Sequence, residues 1–206
     1  MTTHLAEGTK NMGLIDIQDS LVLVIDAQEN FYRDHRTDVD RDTLAHVFEK
    51  VAWVVGAAKA LGVPTVVTEE DASTNGRTAG NIRANFPLGT AILPKHAFSA
   101  ADNPEILEEI HRHKVSTVIL LGLETDICVA HSALQLQALG HRVVAIHDSL
   151  FSPGRAHQNG LMRMQAAGIE LISAKELVYD WVRTVNNIRQ FNRDNPALAT
   201  PPGFSL

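Results

Sequence analysis

The chain is predicted to fold as an α/β protein: three layers, αβα, around a mostly parallel six-stranded sheet with helices on both faces. Three observations predict this. Six short apolar runs recur along the chain with no polar face of their own. Stretches with apolar spacing of three and four separate them. Several of those stretches close on a glycine. Strands apolar on both faces need cover on both sides, and helical connections suit parallel neighbours. At 206 residues, one such domain has room for a sizeable core.

The elements follow in order. Residues 1–18 are polar and read as a leader, ahead of a single domain over 19–190. SLVLVID (20–26) is a β-branched, continuously apolar strand. Residues 43–61 carry helical spacing and end at Leu61-Gly62, a C-cap signal. VPTVVTE (63–69) and AILP (91–94) are the next strands. A helix over 103–113 precedes the strand VSTVILL (115–121), and a helix over 127–139 closes at Gly140. The strand HRVVAIH (141–147), a helix over 154–167 and the strand IELIS (169–173) follow, then a helix from about Ala174. Residues 191–206 contain three prolines and read as an extended tail.

Composition narrows the function. Twenty-four acidic residues against 18 basic ones give a net charge of −6. No basic block stands out, so nucleic acid and anionic membranes are not expected partners. No apolar span reaches the ~20 residues a transmembrane helix needs, and the N-terminus lacks a signal-peptide core. One cysteine excludes an internal disulfide and suits a reducing compartment, so a cytoplasmic location is expected.

Parallel sheets bind ligands beyond the C-terminal ends of their strands. Asp26 ends the first strand, Lys95 ends the third, and Cys128 follows the fourth in LLGLETDICVAH. An acid, an ammonium and a thiol are thus delivered to one rim by three strands. Asp26 and Lys95 can pair and compensate each other's burial. Beside a thiol they supply a base and a positive charge. Cys128 is expected at a helix N-terminus, where free N–H groups and the helix dipole lower a thiol from ~8.5 toward ~3.5–7.5.

Through VIDAQENF, PKHAFSA and GLETDICV the chain resembles the isochorismatase-like cysteine hydrolases, over roughly residues 18–180. Asn30 and Glu124 stand where many members have an aspartate and a small residue. The resemblance implies a Rossmann-like strand order, with Cys128 as nucleophile, Asp26 as the base that later protonates the leaving amine, and Lys95 as their electrostatic partner. It implies an oxyanion hole from the backbone N–H groups of Glu124 and Cys128, with a cis peptide between Leu123 and Glu124. The implied reaction is hydrolysis of a C–N bond in a small amide or ureide through a thioester. It further implies a homodimer or homotetramer and no cofactor.

Residues near these motifs are candidates for substrate contact: Gln28, Phe31, Glu69 (with its neighbour Glu70), Arg77, His96 and Phe98. No metal site is expected. The stretch after the second strand holds no histidine, and His111-x-His113 and Cys128…His131 lack the spacing of a closed zinc site. His157 and Asp148 read as structural. Other classes fit less well. A dinucleotide module needs a glycine-rich turn where Asp26 and Glu29 stand. A haloacid-type phosphatase needs an acid at position 28, which is glutamine. A papain-like pairing of Cys128 with His131 conflicts with the parallel pattern. A vinyl ether hydrolase would not need the thiol, and a non-catalytic binder of small ligands would not need the buried charge pair.

Overall fold

The computed structural model describes residues 13–203. Six strands form one sheet: β1 (Ser20–Ile25), β2 (Thr65–Glu70), β3 (Ala91–Lys95), β4 (Thr117–Leu123), β5 (Arg142–Phe151) and β6 (Glu170–Ile172). Their order is β3-β2-β1-β4-β5-β6 and every ladder is parallel. The chain runs outward from β1 to β3, then returns to the other side of β1 as β4. This reversal between β1 and β4 is the switch point at which such sheets leave a crevice.

Among the described residues, six α-helices lie between the strands, α1 (Arg41–Leu61), the short α2 (Ala72–Asn75) and α3 (Gly80–Arg83), α4 (Pro104–Arg112), α5 (Ala130–Ala138) and α6 (Arg155–Ala166), and two follow the last strand, α7 (Ala174–Val182) and α8 (Val185–Asp194). The side-chain period of two divides β1 between two cores. Val22 and Val24 pack with α1, α7 and α8 on one face, through Val51, Trp53, Leu177 and Phe191. Leu21, Leu23 and Ile25 pack with α4, α5 and α6 on the other, through Ile106, Ala133 and Met164.

Local signals explain the helix ends. Asp40 accepts the Thr43 N–H at 3.1 Å and starts α1, and Gly62 at φ 77° ends it. Ser173 and Glu176 form a reciprocal capping box on α7. Asp148, as expected of a structural residue, accepts the N–H of Ala174 at 2.8 Å and pairs with Lys50 at 2.8 Å, tying α7 to α1.

Three boundaries differ from the sequence reading. The leader is not all loose chain. Ile15 is fully buried, its N–H donates to Asp180 and its carbonyl accepts from Arg183. One anchored apolar residue is enough here, although the surrounding composition is polar. Residues 1–12 of that leader lie outside the described residues. The tail is helical as far as Asp194, with Phe191 buried, because the first proline comes only at Pro196. Beyond it, Leu198 accepts a hydrogen bond from the Trp53 indole at 2.9 Å. Finally, β5 runs on to Phe151 through a register shift against β4 between Leu120 and Gly122, which carries the strand past the polar pair His147-Asp148.

Candidate active site

The site forms where β1 and β4 leave the sheet side by side. Gly122 permits their approach: it sits at φ 112°, and a Cβ there would lie 1.9 Å from the Ile25 carbonyl oxygen. Directly after Ile25, Asp26 adopts φ 47°, a left-handed conformation uncommon for a non-glycine residue. Such backbone costs on the order of 1–3 kcal/mol and needs surroundings that impose it. Here the Asp26 N–H donates to the Thr68 carbonyl at 3.2 Å, and its own carbonyl accepts from Gln28 N–H at 2.8 Å. The bend turns the Asp26 carboxylate into the rim. Its Oδ1 accepts the Thr68 hydroxyl at 2.8 Å.

Lys95 is the hub. Its Nζ lies 3.0 Å from Asp26 Oδ2 and 2.8 Å from Glu70 Oε2, with the Lys95 and Asp26 side chains fully enclosed. It donates to the Ala97 carbonyl at 3.1 Å and to Cys128 Sγ at 3.5 Å. The contact to Asp26 is an ion pair rather than an aligned hydrogen bond, since Oδ2 has no partner with hydrogen-bond geometry. Asn103 sets the loop after β3: its Oδ1 accepts the N–H groups of His96 and Ala97, which places the Ala97 carbonyl under the ammonium.

Cys128 is 3 % exposed, and its thiol donates to Glu70 Oε2 at 3.6 Å. Its carbonyl accepts from Ser132, whose Oγ in turn accepts the Ala100 N–H. The expected low thiol pKa does not hold. Burial, with the Asp26 and Glu70 carboxylates, pushes Cys128 up to about 12 against the pull of Lys95. The cysteine also lies inside a π turn, Thr125–Val129, before α5 begins, not in the open first turn of an α-helix. Burial likewise raises the Asp26 carboxyl to about 6, against the opposing effects of Lys95 and Thr68. Lys95 is held above its ordinary value; burial opposes this, and Asp26, Cys128 and Glu70 overcome it.

The turn that carries Cys128 is fixed from outside. Thr125 Oγ1 is 2.9 Å from His157 Nδ1, and Ser152 donates to Asp126 at 2.7 Å. Gly160 of α6 lies against the turn so closely that a Cβ would fall 2.7 Å from the Asp126 backbone. The Leu123–Glu124 peptide is trans, contrary to the expected cis bond, and no cis bond occurs among the described residues. The chain turns instead at Gly122 and through the π turn, with Val129 N–H bonded to the Glu124 carbonyl at 3.0 Å.

The candidate substrate contacts separate. Glu69 turns away: its Oε1 accepts both the N–H and the hydroxyl of Thr78. Its neighbour Glu70 faces the thiol instead, because successive strand residues point to opposite sides. Gln28 is buried and its amide is consumed by the loop, donating to the Glu70 and Gly76 carbonyls and accepting the Glu70 N–H. Phe31 packs edge-on against Tyr32 beside the core. Phe98 is exposed and meets His131 edge-on. Arg77 and His96 are exposed, with no side-chain bond to the triad among the described residues. Thr68 and Asn103 were not signalled by the sequence. Glu70 was, in part: it is the register partner of Lys95 across β2 and β3. A strand reading that stopped at residue 69 hid that pairing.

Asp26, Glu70 and Cys128 place their donor atoms within 4.8 Å of one another, a spacing compatible with a metal ion. The donor chemistry argues otherwise, since the Lys95 ammonium already sits among these three groups, 3.0 Å from Asp26, 2.8 Å from Glu70 and 3.5 Å from Cys128.

Comparison with known proteins agrees with this architecture. The Isochorismatase domain family matches residues 20–176. A secreted isochorismatase effector, Isc1, from Phytophthora sojae is 27% identical over 192 residues, 89% of this chain and 86% of that protein. Among solved structures, the MAR1 ribonuclease from Caenorhabditis elegans superposes with a TM-score of 0.78 at 24% identity, over 94% of this chain and 98% of that one. YcaC from Escherichia coli, described as an octameric hydrolase of unknown specificity, superposes at 0.76 with 23% identity, over 92% and 95%. With the family match spanning most of the sequence, and an aspartate, a lysine and a cysteine meeting at the switch point of the sheet, the chain belongs to the isochorismatase-like cysteine hydrolase superfamily.

Proposed function

We propose that the chain is a cysteine amidohydrolase that cleaves a C–N bond of a small amide or ureide. One observation carries the reading: a thiol, an ammonium and a buried carboxylate from three different strands converge in one contact network. Cys128 Sγ attacks the carbonyl carbon while its proton passes to Asp26. The C–N bond then breaks as Asp26 hands that proton to the leaving nitrogen, and a thioester remains. Water adds to the thioester, Asp26 accepts its proton, the C–S bond breaks, and the proton returns to sulfur. Asp26 at about 6 is ionised and ready to accept at neutral pH. A thiol raised to about 12 is protonated at rest, so its proton leaves with the attack rather than before it. Lys95 stabilises the sulfur as it becomes negative. The N–H groups of Glu124 and Cys128 serve the carbonyl oxygen.

Release of ammonia from a panel of small amides and ureides tests the reading, with the thioester followed by intact mass. Cys128→Ala should reduce turnover to background. Normal turnover in that variant would overturn the mechanism.

We further propose that the protein works as a cytoplasmic homo-oligomer. The octameric state given for YcaC supports assembly, as do exposed Leu88, Ile92 and Phe98 on or beside the edge strand β3. No helix among the described residues is long and apolar enough to cross a membrane.

A further inference from the structure

We propose that this site admits acyl groups that are neutral or positively charged and turns away anionic ones, through Glu70 and Glu124 at its open side and the Tyr32 hydroxyl beside them. The location of the substrate rests on the amidohydrolase reading; the charge preference does not.

What an incoming molecule meets decides the matter. Lys95 and Asp26 are sealed, and Cys128 is nearly so. The partly exposed charged groups are Glu70, with 29% of its side chain accessible, and the half-buried Glu124. Asp126 adds to the same field. Burial, Asp126 and Glu70 raise the Glu124 carboxyl, while Tyr32 and Arg36 oppose them. Carboxylates that raise one another mark a place where a cation would be welcome. The cations on hand do not cancel this. Lys95 is shared between Asp26 and Glu70 beneath the surface. Arg36 lies over the Tyr32 ring, but Asp38 holds it with two 2.7 Å bonds. His157 has one ring nitrogen engaged by Thr125, and burial beside His147 favours its neutral form.

A second observation points to a ligand. Tyr32 is 4% exposed, and its hydroxyl sits beside the Glu124 carboxylate without an aligned hydrogen bond to any described residue. It faces Glu124, which with burial holds the phenol protonated well above its ordinary range. With its O–H turned toward Glu124, the phenol oxygen keeps a lone pair that a ligand N–H can satisfy. Tyr32 Oη and a Glu124 oxygen together offer two acceptors to an ammonium or amide N–H. An anionic group at the same place would meet Glu124 and Glu70, with Arg36, already paired to Asp38, as the cation acting on Glu124.

Because Cys128 is the single thiol, the preference can be read without turnover. Three methanethiosulfonates would be used at about pH 7, carrying an aminoethyl group as its ammonium, a methyl and a sulfonato-ethyl group. Each forms a mixed disulfide with Cys128 and releases methanesulfinate. Rates from intact mass are divided by those with N-acetylcysteine amide. The expected order is cationic, neutral, anionic, with a span of at least about tenfold, the factor equivalent to 1.4 kcal/mol. The span should shrink with added salt. Glu124→Gln and Glu70→Gln should each reduce it by at least about threefold, and Tyr32→Phe should slow only the cationic reagent. No order, a reversed order, a span unchanged in both glutamine variants, or no labelling by any reagent would each overturn the proposal. Glycinamide, acetamide and malonamate separate this from the parent reading. Charge-ordered labelling with no ammonia from any amide would sink the amidohydrolase and leave the selectivity standing. Cleavage of all three at similar rates would do the reverse.

Discussion

Asp26 and Cys128 have proton affinities displaced in the same direction for the same reason, burial next to negative charge, and the two displacements predict different pH behaviour. A thiol pushed up to about 12 has no thiolate plateau in the neutral range. Iodoacetamide labelling of Cys128, followed by mass, should therefore climb steadily through pH 9. Glu70→Gln should move the curve down in pH by removing a negative charge, and Lys95→Ala should move it up. A plateau below pH 8 in the native chain would contradict this. Asp26 must be ionised to act as a base, so kcat/KM should fall as pH drops through about 6. The stability consequence has the opposite sign. A carboxyl raised from 3.8 to about 6 favours the folded state fully below pH 3.8, and that contribution is lost as pH rises through about 6. Asp26→Asn should thus melt no lower than the native chain at pH 8 while losing activity, which differential scanning calorimetry and an ammonia assay would check together. At this scale the triad was legible because strand ends can be read from apolar runs. The protonation state of the thiol was not, because it depends first on burial, with Asp26 and Glu70 adding to it, and only the folded register encloses the sulfur among them.

Among the elements, the close approach of β1 to β4 and of α6 to the π turn depends on two glycines. Gly122→Ala combines a positive φ with overlap against the Ile25 carbonyl. It should destabilise the fold by at least ~3 kcal/mol, in the tail of single-substitution effects, as urea titration would show. Gly160→Ala should act more selectively. Its methyl group would press on Asp126 and Thr125, so kcat should fall more than the melting temperature suggests. Periodicity placed every strand and the long helices, since these bury continuous apolar faces. It could not distinguish a π turn from the start of α5, because both carry the same residue types. Nor could it extend β5 past His147-Asp148, where a register shift rather than hydrophobicity continues the ladder.

For the whole molecule, the α/β class and parallel sheet were legible from alternation alone, while the ends were not. The C-terminal segment is part of the folded body through Phe191, through the Trp53 bond to Leu198, and through Leu198 seated at Gly56. Truncation after Asp194 should cost ~1–2 kcal/mol, about the value of one satisfied buried hydrogen bond with some packing, measurable by denaturant midpoint. Static light scattering addresses the assembly: a mass at a multiple of 22.5 kDa is expected, and a single-chain mass would remove the oligomer from the account. The backbone contact at Gly160 has a further effect on motion. With α6 pressed against the turn, Ser152 bonded to Asp126 and His157 to Thr125, the nucleophile's wall has no slack of its own. In native-state hydrogen exchange, the amides of 125–129 and 155–166 should open with one common free energy, as a single cooperative unit. Any breathing that lets a substrate in must then come from the opposite wall, the loops that follow β1 and β2.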